Sequence, residues 1–270
     1  QGTLAYWLLH MLSFVTGNID RPGGNVFPPG WYDMAAKGRS NYVDGFVETE
    51  FGTIRTGEIP GGLLPHYILD AEEPVRALFV IAGNPLLSLP GQALLEKAFD
   101  SVELLVVIDI YPNATSEHAD WLLPATDQFE RSDLCVSTNT MQLEPWVQFT
   151  TNVAEPQYER REEWWIFARL AQELGVKSVL DEADPDEAKW SRIDHMLDGS
   201  GITRSALLEN PRGLPLGKTL EYGSFFEARI QTSDAKVDCC PAAFAPAFER
   251  CAQIFDELAH KLVAHDNIER

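Results

Sequence analysis

Apolar residues at Leu4, Trp7, Leu8, Met11, Leu12 and Val15 recur at steps of three and four, the period of one helix face, and predict a helix over residues 3–16 that Gly17 stops. From residue 17 to residue 65 that period is lost. Gly and Pro take over, in Pro22-Gly23-Gly24, Pro28-Pro29-Gly30 and Pro60-Gly61-Gly62, so a long irregular excursion is expected. Order returns with two nearly all-apolar runs, residues 77–82 (ALFVIA) closed by Gly83-Asn84-Pro85, and residues 104–108 (LLVVI) closed by Asp109. Runs without alternation read as strands buried on both faces, the habit of parallel sheets. Residues 91–99 (GQALLEKAF) between them carry a helical period, which makes a strand, helix, strand unit with a right-handed crossover. The apolar run at 121–123 and the alternating stretch at 134–147 extend that sheet or cover its edge. Residues 159–174 read as an amphipathic helix stopped by Gly175. The acidic run 181–187 (DEADPDE) reads as a linker or a helix entry, and two short helices are expected near 189–197 and 204–209. Beyond these, Pro, Gly and short apolar segments alternate. The fold class is α/β, a Rossmann-like parallel sheet flanked by helices with irregular N-terminal and mixed C-terminal segments. Soft boundaries near 70 and 180 divide the chain into segments 1–70, 71–180 and 181–270.

Composition narrows the partners. A content of 45% hydrophobic and 10% aromatic residues in 270 supplies one large or two modest cores. The formal net charge of -20, from 41 acidic and 21 basic residues, repels a phosphate backbone and an anionic membrane surface alike, which argues against nucleic acid as a partner. The longest apolar run, residues 4–15, is broken by His10 and Ser13 and falls short of the roughly 20 residues of a membrane span. It reads as a buried helix, and it lacks the basic entry and small-residue cleavage site of a signal peptide. Four cysteines, Cys135, Cys239, Cys240 and Cys251, form no CxxC pair and no disulfide spacing, which fits a reducing cytoplasm. Cys239 and Cys240 read as buried or half-buried thiols. The chain opens at Gln1 on structured-looking sequence, so an upstream portion is expected and the periplasm stays open as a location.

Candidate chemistry gathers at the sheet's carboxyl edge, where open parallel sheets bind their ligands. Gly83-Asn84-Pro85 and Asp109 occupy that edge. A glycine lets a ligand approach the backbone, an amide both donates and accepts, and a strand-end carboxylate accepts two hydrogen bonds from a guanine or a ribose. An ordinary turn and an ordinary strand-end cap are the competing reading of the same residues. No Walker loop, GxGxxG, GxSxG or HExxH is present. Glu117, His118 and Asp120 read as solvated surface, and no residue is nominated as catalytic or as a metal ligand. Trp164 and Trp165 cannot share one helix face, so one belongs to the core and the other to an interface or a ligand.

Taken in order and spacing, TGNIDRPGG (16–24), FVIAGNPLLSLP (79–90), VVIDIYPNATSEHADWLLPATDQFERSD (106–133) and ERREEWW (159–165) resemble the molybdopterin oxidoreductase family, the dimethyl sulfoxide reductase superfamily, over roughly residues 1–180. The resemblance implies bis-molybdopterin guanine dinucleotide with molybdenum or tungsten and, in many members, a 4Fe–4S cluster on an N-terminal cysteine motif. It implies that Gly83 and Asn84 touch the dinucleotide and that Asp109 reads a guanine, with the main chain of Ile108 beside it. Asn113 stands in place of a threonine, Arg131 where a basic residue is common, and Glu163 in place of an aspartate. The family's cluster cysteines, metal ligand and C-terminal cofactor-capping domain have no counterpart, and FPPGWYDMAA (27–36) departs from formate dehydrogenases and weakens formate as substrate. The chain is therefore expected to be the central part of a longer enzyme, inactive alone. Its expected partners are the missing domains of the same polypeptide and an electron-transfer protein. Two alternatives stay open: a catalytically silent scaffold relative, such as the large iron–sulfur subunit of respiratory complex I, and a free-standing nucleotide-binding or interaction domain.

Overall fold

The structure, a computed structural model, describes residues 2–28, 30–32, 46–55, 59–136, 142–217, 220–230 and 232–266. It divides into two compact units, Pro29–Gly217, and Gln1–Pro28 together with Lys218–Arg270. The expected boundaries near 70 and 180 both fall inside the first of these.

The first helix, α1 (Gly2–Val15), lies one residue ahead of the expected 3–16 at both ends. The region read as irregular contains a hairpin, β1 (Phe46–Thr49) and β2 (Gly52–Arg55), whose tight turn the Thr49 hydroxyl closes by donating to the Gly52 carbonyl at 2.7 Å. Residues 33–45 and 56–58 of that stretch lie outside the described residues. Next come α2 (Leu64–Leu69), β3 (Ala77–Ile81), α3 (Pro85–Ser88), α4 (Gln92–Phe99), β4 (Leu104–Asp109) and β5 (Trp121–Pro124). The three strands form a parallel sheet in the order β3-β4-β5, with Val80 opposite Val107 and Ile108 opposite Leu123. The α/β reading is thereby realised.

Side-chain alternation sorts the two faces. Val80, Leu105 and Val107 bury against Ile68 of α2 and Leu95, Ala98 and Phe99 of α4. Val106 and Ile108 point the other way, onto Ala125 and Ile166 of α5 (Glu163–Glu173). The expectation of burial on both faces holds for β4 and fails for β3, whose Phe79 and Ile81 are 39% and 47% exposed. The cause is position: β3 is an edge strand, and α5 reaches it through one ring contact, Phe79 to Phe167 at 5.8 Å.

The alternating stretch at 134–147 does not join the parallel sheet. Its ends form β6 (Asp133–Leu134), antiparallel to β8 (Phe149–Thr150), and β7 (Trp146–Val147), antiparallel to β9 (Leu214–Pro215). Gly213, at φ +88°, makes the second pairing possible: a Cβ there would lie 2.5 Å from the Trp146 ring. These strands build a separate core in which Leu134, Val147 and Phe149 meet Ile193 and Leu197 of α6 (Pro185–Leu197) and Leu207 of α7 (Arg204–Glu209).

The acidic run resolves as a helix entry. Asp184 accepts from the Glu187 amide at 3.0 Å and Pro185 opens α6, the usual way to satisfy orphan amides at a helix start. Just before it, Asp181 accepts from the Ser178 amide at 2.8 Å and from Gln172 Nε2 at 2.7 Å. The amide first, then the Gln172 side chain, hold the Asp181 carboxyl below the ordinary aspartate range. A depressed folded value means that the carboxylate stabilises the fold above the unfolded titration range and that this contribution disappears as pH falls through the folded value. Carboxyl NMR titration should place the Asp181 midpoint below that of an unstructured aspartate; an ordinary midpoint would show that the cap does not form in solution.

In the smaller unit, residues far apart in sequence meet. Trp7 of α1 lies 5.1 Å from Phe244 and 5.8 Å from Phe248, ring to ring, and Phe27 stacks on Phe225 at 5.3 Å. Asp20, at φ +54°, accepts from the Phe225 amide at 2.7 Å. Gly24 lets the chain close on itself, because a Cβ there would sit 2.2 Å from the Asn18 carbonyl. The reading of α1 as a buried helix is corrected: Leu4 is buried, while Tyr6, Leu9 and Leu12 are exposed, because the described residues of its unit cover only one side of it. A long helix, α8 (Ala245–Asp266), occupies a stretch for which no element was expected. Cys240 is exposed rather than buried, and all four cysteines are free. Among the described residues no helix is long and apolar enough to cross a membrane, and no cluster of His, Cys, Asp and Glu could hold a metal.

Candidate functional site

β3 and β4 end side by side, and the turns that leave them shape a cleft of about 470 Å³ at the sheet's carboxyl edge. After β3, the Ala82 amide extends the ladder by donating to the Ile108 carbonyl at 2.9 Å, and Ala82 adopts φ +49°. That conformation strains a residue with a Cβ and turns the chain sharply into Gly83-Asn84-Pro85. At the end of β4 stands Asp109. Ala82, Asp109, Thr126, Arg131 and Glu163 all line the cleft, whose volume suits a small ligand.

The Asp109 carboxylate is held in place. Oδ1 accepts from the Ile110 amide at 2.6 Å and Oδ2 from Asn113 Nδ2 at 2.9 Å, which leaves lone pairs on both oxygens for a ligand. Asn113 in turn accepts through Oδ1 from the amides of Thr115 and Ser116 at 3.0 and 3.1 Å, so its place is to orient Asp109. Asn84 accepts through Oδ1 from the buried Thr115 hydroxyl at 2.8 Å, and that hydroxyl accepts from the Leu86 amide at 3.2 Å. Asn84 thus ties the turn after β3 to the turn after β4. Arg131 donates through Nη1 to Glu163 Oε2 at 3.3 Å, and its buried Nε has no hydrogen-bond partner, with Asp133 Oδ2 too far at 3.6 Å.

Of the residues nominated from sequence, Asp109, Arg131 and Glu163 share the cleft and Asn113 is bonded to one of them. Gly83 and Asn84 stand at the neighbouring turn, outside the lining. Ile108 is fully buried and its carbonyl is taken by Ala82, so it does not reach the cleft. Of the paired tryptophans, Trp165 packs on the core beneath the Arg161 guanidinium at 5.4 Å, and Trp164 donates to Glu162 Oε2 at 2.9 Å.

Two supports of the site carry no signal in the sequence. Glu130 is 6% exposed and accepts from Arg160 Nη1 at 2.5 Å, from the Gln157 amide at 3.4 Å and from the Asp127 amide at 3.3 Å, fixing the loop that carries Arg131. Lys189 of α6 donates to both Glu162 oxygens, at 2.8 and 2.7 Å, and to the Ser132 carbonyl. Neither is marked by a local pattern, since the ion-pair partners, Arg160 for Glu130 and Glu162 for Lys189, lie 30 and 27 residues away. Glu130→Gln keeps the shape but turns an amide nitrogen toward a donor. Urea denaturation should register a loss of about 1–3 kcal/mol, and an unchanged midpoint would mean that the buried pair contributes nothing.

The sequence profile of the molybdopterin oxidoreductase family matches residues 1–173, which include the whole cleft. The chain belongs to the molybdopterin oxidoreductase family. Among curated relatives, the F420-dependent formate dehydrogenase subunit alpha of Methanocaldococcus jannaschii is 31% identical over 188 residues, 65% of this chain and 27% of that protein. The trimethylamine-N-oxide reductase of Haemophilus influenzae is 25% identical over 215 residues, 70% of this chain and 26% of that protein. The chain spans about a quarter of the length of these relatives. Acetylene hydratase from Pelobacter acetylenicus shares the fold, with a TM-score of 0.51 at 22% identity over 68% of this chain and 24% of that one. The match to the molybdopterin oxidoreductase profile stops where α5 stops, so α6, α7 and α8 lie beyond it.

Proposed function

We propose that this chain is the central part of a longer molybdopterin-dependent oxidoreductase and that its cleft holds a guanine dinucleotide arm of the bis-molybdopterin cofactor. The observation that carries the reading is the Asp109 carboxylate, turned by Ile110 and Asn113 and still able to accept on both oxygens. Guanine presents N1–H and an exocyclic amine side by side, a donor pair that one carboxylate can accept in a bidentate way. Arg131 supplies a cation for the phosphates or a donor for the ribose, and Glu163 holds its guanidinium at the cleft. When bound, the pterin-held molybdenum or tungsten supplies the redox chemistry. The residues of this chain bind and orient; none is catalytic, and the chain is inactive alone. Cluster ligands, metal ligand and the contacts to an electron-transfer partner belong to the rest of the polypeptide, and the enzyme works in the cytoplasm. Amide shift mapping with guanosine diphosphate and adenosine diphosphate tests the reading on the chain itself. The guanine nucleotide should move Ile110 and Asn113, whereas adenine, which lacks the donor pair, should not. Equal response to both, or to neither, would overturn it and leave the scaffold relative as the better account.

A further inference from the structure

Next to the cleft, the larger unit holds a second cavity of about 510 Å³. It is lined by Arg131, Glu163 and Trp164 and, from α6, by Arg192, Ile193 and Met196. The α6 residues of the lining lie beyond the family match, whereas Arg131, Glu163 and Trp164 lie within it. The volume falls within the roughly 300–1,000 Å³ of small-molecule pockets. Apolar side chains, the Trp164 indole among them, share the lining with three basic and three acidic ones.

The charges around it are unevenly satisfied. Lys189 neutralises Glu162 at 2.7 Å, and Glu163 faces Arg131 at 3.3 Å. Arg131 Nε faces Asp133 at 3.6 Å, whereas Arg192, exposed at the rim, has no ion-pair or hydrogen-bond partner among the described residues. In a chain of net charge -20, an unpaired guanidinium beside an apolar hollow is a local exception. Trp164 offers a flat indole, Ile193 a fixed aliphatic surface, and Met196 a thioether that adapts to irregular shapes.

We propose that this cavity is a second ligand site, for a flat, largely apolar molecule carrying a single anionic group. The ring system lies between Trp164 and the Ile193–Met196 side, and the anion meets Arg192. The inference turns on α6 and not on Asp109, and the cavity shares Arg131 and Glu163 with the dinucleotide cleft.

The probe is 2-naphthoate, added to the complete chain and monitored by calorimetry and by methyl NMR of labelled isoleucine and methionine. One saturable site per chain is expected, with shifts at Ile193 and Met196. Arg192→Glu, a change at an exposed position, should weaken 2-naphthoate about fivefold or more, the effect of a charge pair at a solvated rim. The neutral 2-naphthamide should bind the parent and the variant alike. Asp109→Asn and excess guanosine diphosphate should leave 2-naphthoate binding unchanged. The proposal falls if binding does not saturate, if the shifts appear only elsewhere, or if Arg192→Glu has no effect. Displacement by guanosine diphosphate would also overturn it, by making the cavity an end of the dinucleotide cleft, with the cofactor reading intact. Failure of guanosine diphosphate to bind would remove that reading and leave this one standing.

Discussion

Asp109→Asn is expected to lower the guanine nucleotide content of the longer enzyme by at least about tenfold at equal folded yield. In the folded chain both carboxylate oxygens already accept one hydrogen bond, from the Ile110 amide and from Asn113 Nδ2. An asparagine keeps one acceptor and turns an amide nitrogen either toward one of those donors or toward the guanine. In every rotamer two donors face each other. Hydrogen bonds to a charged acceptor contribute roughly 1.5–3 kcal/mol, and a tenfold loss needs only about 1.4 kcal/mol. If Asp109 merely caps its strand, asparagine lowers stability at most, and the guanine nucleotide bound per folded molecule stays unchanged. Guanosine monophosphate released by mild acid, measured with the metal in both proteins, separates the two cases: unchanged content would mean that the guanine sits elsewhere.

Phe99→Ala should cost about 3–5 kcal/mol of unfolding free energy, the range for emptying a buried aromatic site. Phe99 closes α4 at 2% exposure and packs with Leu95, Leu105, Val107 and Ile68, the cluster that seats α2 and α4 on the sheet. The hole cannot be filled from the other side, because the strand beneath it is central and its neighbours are already buried. Urea denaturation with circular dichroism as the signal measures the loss. A cost below about 1 kcal/mol would show that α4 is not docked as described.

The parallel sheet is legible in the sequence because residues 77–82 and 104–108 are continuous apolar runs flanking a helical period, and Asp109 is legible because it ends one of them. Such a run does not say whether its strand is central or at an edge, and the exposed side of β3 escapes it for that reason. The alternation at 134–147 is real, yet its partners, Phe149–Thr150 and Leu214–Pro215, are chosen by tertiary packing and by the space that Gly213 leaves for Trp146. Periodicity carries the helix back to residue 159, whereas α5 starts at Glu163; Arg161 instead bridges to Ala125 beside the sheet. At the site, the Asp109 carboxylate that lines the cleft can be picked from its place at a strand end. Glu130 cannot, because a glutamate before an arginine reads as surface until Arg160 is seen beside it. The helix over Ala245–Asp266 has a period in Phe248, Cys251, Phe255 and Leu258, which the prolines ahead of it obscure.

The bond from the Phe225 amide to Asp20 spans 205 positions and has a consequence for synthesis on the ribosome. At about 5–20 residues per second, α1 leaves the exit tunnel on the order of 10–40 s before the segment that holds its loop. During that wait the ring of Trp7, which later meets Phe244 and Phe248, is unpaired and adds to the apolar stripe that Tyr6, Leu9 and Leu12 expose even in the folded chain. Such a stripe is what holdase chaperones bind, so the time to reach the folded state should depend on translation speed and chaperone supply more than on the parallel sheet, whose strands are made in close succession.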